Sequence, residues 1–467
     1  MGPMRRGWTL FLLLAGCSGL EPEPLDPARS EADFRARRLD DPALTAYLES
    51  HHVPKPSVWT LDGLTLAAFY YHPDLDIARA RLLGARGVER SAGMVPNPTV
   101  NGDLEKVLGS TGSGVSPWVY GFNLQMPLDF LWKRGYRVDE ARARIEGSRL
   151  ELGEVAWQVR HRVRAALLED VLSRREVELR RRELDVRSDL ATAAARLLAA
   201  GETSRLEADR ARGESAGARI VLEETKGRAA ATRSALASAL GVSSRAIEGI
   251  AFDWPGIDSI PEESQLSLPA LQEVGLLNRL DVRRGLAEYA AAEAALGLEL
   301  VKRYPDITLG PGYLFDQGEK KFTIGLSISL PLFNQNGGPI AEAEARRKEA
   351  AARFLAIQAR AIGEFEQALA RFQAGRNQLT ALQEASEAIG RRFESVRRAV
   401  ELGELDRVAL LGIQVERGIV ESGGLEALRR VQEALGALED ALQRPLGGAT
   451  TPFEIPEPAP RRGKEKQ

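Results

Sequence analysis

The sequence predicts an α+β membrane protein built from two internal repeats, in which a few short strands carry very long helices. Three observations lead there. First, motifs of the first half return in the second. Leu75-Asp76-Ile77-Ala78-Arg79 is echoed by Leu280-Asp281-Val282-Arg283-Arg284, and Gln125-Met126-Pro127-Leu128 by Ser329-Leu330-Pro331-Leu332. Gly201-Glu202-Thr203-Ser204-Arg205-Leu206 is echoed by Gly403-Glu404-Leu405-Asp406-Arg407-Val408. The displacement is about 205 residues each time, which marks two copies of one structural unit. Second, several short segments alternate apolar with small polar residues. Third, residues 128–254 and 340–444 contain no proline, so long helices can run through them unbroken.

Taken along the chain, residues 1–16 read as a signal peptide. Arg5 and Arg6 precede an apolar stretch, 8–15, that is too short to cross a bilayer as a helix. Cys17 follows and is the only cysteine, so no intrachain disulfide or thiolate metal site is possible. Residues 17–60 form an N-terminal segment, of which 21–60, like 446–467, is rich in proline and charge and is expected to be an irregular wrap or tail. The first repeat, 61–252, is expected to hold a helix over 61–94, a strand pair, and a helix from 133 to 200 that turns back at Gly201. That helix would be roughly 100 Å long, more than a compact domain holds. Residues 253–267, with Pro255 and Pro261, form a linker. The second repeat, 268–445, repeats the order, with a helix over 269–302 and a turn at Gly403.

The clearest strand is in the second repeat. Phe322, Ile324, Leu326, Ile328 and Leu330 alternate with Thr323, Gly325, Ser327 and Ser329. The segments 120–126 and 307–313 alternate in the same way, and 99–107 is a more polar fourth. Such dyads are the pattern of a transmembrane β-barrel wall. Residues 109–117 and 315–320 are the polar turns between strands. Four strands cannot close a barrel, and open edges in lipid cost several kcal/mol per unpaired group. The chain is therefore expected to associate, three copies giving twelve strands. In the second long helix Phe365, Ala368, Phe372, Gly375, Leu379, Leu382, Ser386, Ile389, Phe393, Val396 and Val400 follow a heptad, as in coiled coils.

Composition excludes other classes. The 63 basic and 66 acidic residues leave a net charge of −3, with no basic face for nucleic acid. Beyond the signal, no apolar run is long enough for a transmembrane helix. There is no HExxH, GxSxG or phosphate-loop motif, so no enzymatic activity is expected. The histidines are His51, His52, His72 and His161. The adjacent His51 and His52 could hold a metal, but on a proline-rich segment they read more simply as surface residues. No cofactor or metal site is expected.

Tyr71-His72-Pro73-Asp74-Leu75, Val95-Pro96-Asn97-Pro98, Met126-Pro127-Leu128, Leu330-Pro331-Leu332-Phe333 and the two Gly-Glu turns resemble, in their order and duplication, the TolC-like outer-membrane efflux family, in its CusC/CzcC-like branch. The resemblance runs from residue 59 to 443. It implies a trimeric 12-stranded transmembrane β-barrel continued by a long periplasmic α-helical barrel. It further implies an exit duct for a tripartite efflux pump, working with a periplasmic adaptor protein and an inner-membrane transporter. Leu14-Ala15-Gly16-Cys17 resembles the bacterial lipobox, which implies a lipidated Cys17 as the mature N-terminus, and Ser18 in place of Asp implies the outer membrane and its lipid. By the same resemblance the two turns carry the adaptor contact: Gly201, Glu202, Thr203, Ser204, Arg205 and Leu206, and Gly403, Glu404, Leu405, Asp406, Arg407 and Val408. Glu404 and Asp406 are the candidate gate, since a threefold axis would make rings of them; the alternative is a solvated turn with a helix-capping Asp. Other readings stay open: a type I secretion duct, a periplasmic adaptor, or a structural lipoprotein. The cargo, whether metal ion, drug or protein, is not legible.

Overall fold

The computed structural model describes residues 22–54, 56–109, 114–262, 275 and 277–446. The expected signal peptide and Cys17, residues 263–267 of the linker, and the tail from 447 lie outside the described residues. Each repeat supplies a short helix, a strand pair, a very long helix and a return helix. In the first these are α4 (Pro73–Ala92), β1 (Thr99–Lys106), β2 (Trp118–Pro127), α5 (Phe130–Ala200) and α6 (Arg205–Leu240). In the second they are α7 (Leu280–Val301), β3 (Asp306–Asp316), β4 (Glu319–Ser329), α8 (Gly337–Glu401) and α9 (Arg407–Leu442). Three helices precede the first repeat's motifs: α1 (Pro27–Ala36), α2 (Pro42–Ser50) and α3 (Leu61–Tyr71).

Two expectations are corrected here. The span 61–94 is two helices, because Pro73 has no N–H to continue α3 and instead starts α4, with His72 as its N-cap. The span 269–302 is likewise interrupted at Arg279, whose ψ of 136° is extended. The segment 22–60 is also more regular than expected. Asp26 and Asp41 each cap a helix that begins on a proline, and Leu39, Leu44, Tyr47 and Leu48 are buried.

The four strands form one antiparallel sheet in the order β1-β2-β3-β4. The central pairing joins the repeats, with Val119 opposite Asp316 and Met126 opposite Leu309. Below the sheet α4, α5, α7 and α8 lie side by side and alternate in direction. Arg81 meets Glu151, Arg142 meets Glu89 at 3.2 Å, Arg284 meets Glu154 at 2.7 Å, and Asn336 reaches Glu299. At 1.5 Å per residue α5 is about 105 Å long, so it runs the length of the molecule.

The hydrophobic core sits halfway down, as a waist. It joins α2 and α3 to the middle of α5 (Val159, Val163, Leu167), the end of α6 (Leu236, Leu240), α8 (Phe365, Phe372) and the end of α9 (Val431, Leu438). The N-terminal segment belts it: Arg37 donates to the carbonyls of Tyr71 at 2.9 Å and Gly241 at 2.7 Å, and Trp59 pairs with Phe252. Beyond the waist burial thins. The heptad of α8 is buried through Gly375 and only half-buried or exposed from Leu379 to Val400.

Candidate conduit and hairpin tips

The register sorts the sheet into two faces. On one lie Val100, Leu104, Tyr120, Phe122, Leu124, Ile307, Leu309, Tyr313, Phe315, Phe322, Ile324, Leu326 and Ile328, apolar or aromatic, with Lys106 and Lys320 on the same face at its turn end. Phe122, Phe322, Ile324 and Leu326 are exposed, an arrangement that suits lipid. Aromatics gather toward the turns: Tyr120 stacks on Phe315 at 4.8 Å and Phe122 on Tyr313 at 6.0 Å, as in an interfacial girdle. The opposite face carries Asn101, Asp103, Glu105, Asn123, Gln125, Thr308, Thr323 and Ser327, with glycine at 121, 310, 312 and 325. A Cβ on Gly121 would lie 2.8 Å from the Tyr313 carbonyl, whereas one on Gly102 of the apolar face has 3.9 Å. Gly121 on the polar face is thus closely approached by the neighbouring strand.

The polar face continues into a groove on the four helices. Lys133 of α5 reaches up to Asp306 of β3. Below it a cavity of about 850 Å³ is lined by α4, α5, α7 and α8, with small residues such as Ala143, Gly147, Ala291 and Ala343 between charged ones. Glu140, Arg144, Glu288 and Arg346 are among these, giving a wetted wall rather than an apolar pocket. At its edge burial raises the pKa of Glu154 despite the Arg284 guanidinium.

At the waist an ionic network locks the two repeats together. Glu439 of α9 pairs with Arg164 at 3.0 Å and Arg160 at 3.5 Å, and all three side chains are 10% exposed or less. Arg164 also donates to the Gln432 carbonyl at 3.0 Å and lies over the Trp254 ring at 5.0 Å. Its guanidinium fills the space a side chain on Gly436 would take. Burial lowers the pKa of Arg164, and Glu439 opposes that shift. Trp157 donates to Asp440 at 2.7 Å. Nearby, the buried His72 accepts from the Asp74 N–H at 3.3 Å; burial lowers its pKa, outweighing the Asp74 carboxylate beside it.

The two turns have one design. Gly201 (φ 79°) and Gly403 (φ 76°) take the left-handed conformation that ends a helix. The N–H of Glu202 returns to Leu197 and that of Glu404 to Ala399, each at 2.8 Å. Ser204 then caps α6 in a reciprocal box with Glu207, which Thr203 also contacts. Asp406, in the matching place, caps α9 through the Ala409 N–H at 2.8 Å. Its carboxylate is therefore engaged as a cap. Glu202, Glu404, Leu206 and Leu405 are exposed, Val408 is half-buried, and Arg205 lies 3.7 Å from Asp209. Arg407 crosses to Asp189 of the other hairpin at 2.9 Å.

Sequence reading did not single out Asp189 or the seam it belongs to. Along that seam α9 rests on α5 through Arg182–Glu421 at 3.4 Å, Arg180–Ser422 at 3.1 Å and Arg429–Glu169 at 3.2 Å. Each charged residue among these looks in sequence like an ordinary surface charge. The N-terminal helices did carry a signal, since Asp26-Pro27 and Asp41-Pro42 are cap-and-start pairs. His51 ends α2, its ring 4.4 Å from Tyr47, and no group of three metal-ligating side chains exists among the described residues. No described helix is long and apolar enough to cross a membrane.

Comparison with known proteins agrees with this arrangement. CzcC, a cobalt-zinc-cadmium resistance protein of Cupriavidus metallidurans, is 26% identical over 299 residues, 64% of this chain and 69% of that protein. The crystal structure of CusC, described there with transmembrane channel formation, superposes with a TM-score of 0.66 at 20% identity, over 82% of this chain and 91% of that one. The outer membrane protein VceC of Vibrio cholerae gives 0.66 at 22% identity, over 82% and 95%. The model of the family described as outer membrane efflux protein matches residues 68–242 and 272–444, one match on each repeat. On the strength of that double match, which spans both strand pairs, both long hairpins and the waist between them, the chain belongs to the outer membrane efflux protein family.

Proposed function

We propose that this chain forms, as a homotrimer, the outer-membrane exit duct of a tripartite efflux pump and passes heavy-metal cations. The observation that carries the reading is the two-faced sheet. It is apolar outside and polar inside, its outer edges β1 and β4 are unpaired in a single chain, and it continues directly into the helical groove. Unpaired edges are not viable in lipid, and three copies joined β1 to β4 give a closed twelve-stranded wall. A lipidated Cys17 anchors the N-terminus. The exposed tips, with Leu206, Leu402 and Leu405, meet a periplasmic adaptor that connects to an inner-membrane transporter. Glu404 rings the narrow end of the duct. The duct does no covalent chemistry.

Metal cargo is favoured by the CzcC relative and by charge. On the polar face of the sheet Asp103, Glu105, Asp306, Asp316 and Glu319 outnumber the two lysines that reach them, Lys321 and, from α5, Lys133. Such a lining favours cations. Growth of a deletion strain on copper, zinc, cobalt and cadmium, beside a panel of hydrophobic antibiotics, tests the cargo. Sensitivity confined to metals is expected; sensitivity confined to organic compounds would overturn the metal assignment. The trimer is tested by oxidative crosslinking of cysteines placed at 101 or 103 in β1 and at 325 or 327 in β4, in a chain whose only other cysteine is Cys17. A covalent ladder ending at three copies is expected, and monomer from every pairing would overturn it.

A further inference from the structure

On the outer wall, on the far side of α5 from the duct groove, a second groove of about 530 Å³ lies between α4 and α5. We propose that it binds the phosphate of an anionic phospholipid of the periplasmic leaflet. The proposal rests on the membrane reading above.

Position carries the first part of the argument. Val138 and Arg142 of this groove point about 160° around α5 from Glu140 and Arg144 of the duct wall. Just below the strands the chain exposes Met94, Val95, Leu131, Leu332 and Phe333, an apolar collar that continues the lipid face of the sheet. Arg134 lies about 4.5 Å along the axis below Leu131, and Arg142 about 16 Å below. The headgroup layer is about 5–7 Å thick on each side of the hydrocarbon. Arg134 therefore sits in that layer. Arg90, on the turn of α4 between the contacts to Arg134 and Arg142, can extend its side chain up into it.

Charge carries the second part. Four arginines, Arg86, Arg90, Arg134 and Arg142, face one carboxylate, Glu89. Arg134 uses its Nε on the Gly93 carbonyl at 2.7 Å and Arg142 its Nε on Glu89 at 3.2 Å, and neither guanidinium makes a further hydrogen bond to a described residue. The side chains of Arg86 and Arg90 form no ion pair or hydrogen bond with any described residue. Guanidinium groups take phosphate oxygens bidentately, and basic pockets at a membrane face take lipid headgroups. Met94, at the end of the groove nearest the strands, offers contact to the first methylenes of the acyl chains.

The test is native mass spectrometry of the full-length protein in detergent, titrated with cardiolipin, with phosphatidylcholine, or with inorganic phosphate at equal phosphorus. The Arg90→Gln variant breaks no hydrogen bond or ion pair to any described residue, so it is expected to fold. Cardiolipin adducts on the native protein are expected, with few from phosphatidylcholine. The variant should bind cardiolipin about five-fold more weakly, equivalent to about 1 kcal/mol for that arginine. Equal adducts on both proteins would overturn the site, and equal occupancy by inorganic phosphate would make it a free-anion site and overturn the lipid. Flotation of cell membranes, run alongside, separates the two readings. If the native protein is absent from the outer-membrane fraction, the membrane reading itself fails; if it is present and the adducts ignore the substitution, only this proposal fails.

Discussion

Replacing Glu439 by Gln removes the one carboxylate shared by two buried guanidiniums. The side chains of Arg164, Arg160 and Glu439 are 4%, 10% and 5% exposed. Breaking a buried pair by neutralising one partner costs about 3–5 kcal/mol, because the remaining charge stays in a poorly solvating site. Here Gln432 and the Trp254 ring still contact Arg164, so the expected cost is near the lower end, about 3 kcal/mol. Matched urea unfolding curves of the native and E439Q proteins measure it. A control, Glu342→Gln, opens the exposed Arg346–Glu342 pair and should cost under about 0.5 kcal/mol. Arg164→Met on the E439Q background should recover at least about 1 kcal/mol relative to the sum of the single changes, since the more buried of the two stranded charges is then gone. A cost below about 1 kcal/mol for E439Q, or simple additivity, would refute the claim that this network joins the repeats.

Other outcomes follow from the same geometry. Gly121→Ala forces a Cβ against the Tyr313 carbonyl and should cost about 1–3 kcal/mol and lower the yield of assembled protein in the outer membrane, while Gly102→Ala should leave it unchanged. His72 has a folded-state pKa lowered from 6.5, so its contribution is present above that pH and is lost as pH falls through the folded value. His72→Asn keeps a capping acceptor without a titrating ring, and the native protein's extra loss of thermal stability below pH 6.5 should vanish. Arg407→Ala removes an exposed pair worth about 0.2–1 kcal/mol per copy, so in the proposed trimer it should raise the frequency of duct opening several-fold with little change in unfolding.

Much of this was legible because periodicity is a local property. The alternation of Phe322 with Thr323 and the echo of Gly201 at Gly403 need no tertiary knowledge, and both strand faces and both turns follow from them. The break at His72 was equally local, written in Pro73, and was missed by reading the apolar pattern across it. The waist network was not legible, since Arg164 and Glu439 lie far apart in the chain and each resembles a helix-surface charge until the fold buries it. Asp406 shows the limit at the tips. Its acidity suggests a charged ring, but its place three residues before the Ala409 N–H makes it a cap first. Arg407 and Asp189, which join the hairpins, come from different repeats, and no motif connects them.

The central claim is that this chain is a duct, and single-channel recording tests it most directly. The native protein and Arg407→Ala should be inserted into planar bilayers, each shown to be incorporated. The account predicts discrete, cation-selective openings, more frequent in the variant. Incorporated protein that conducts in neither form would contradict it.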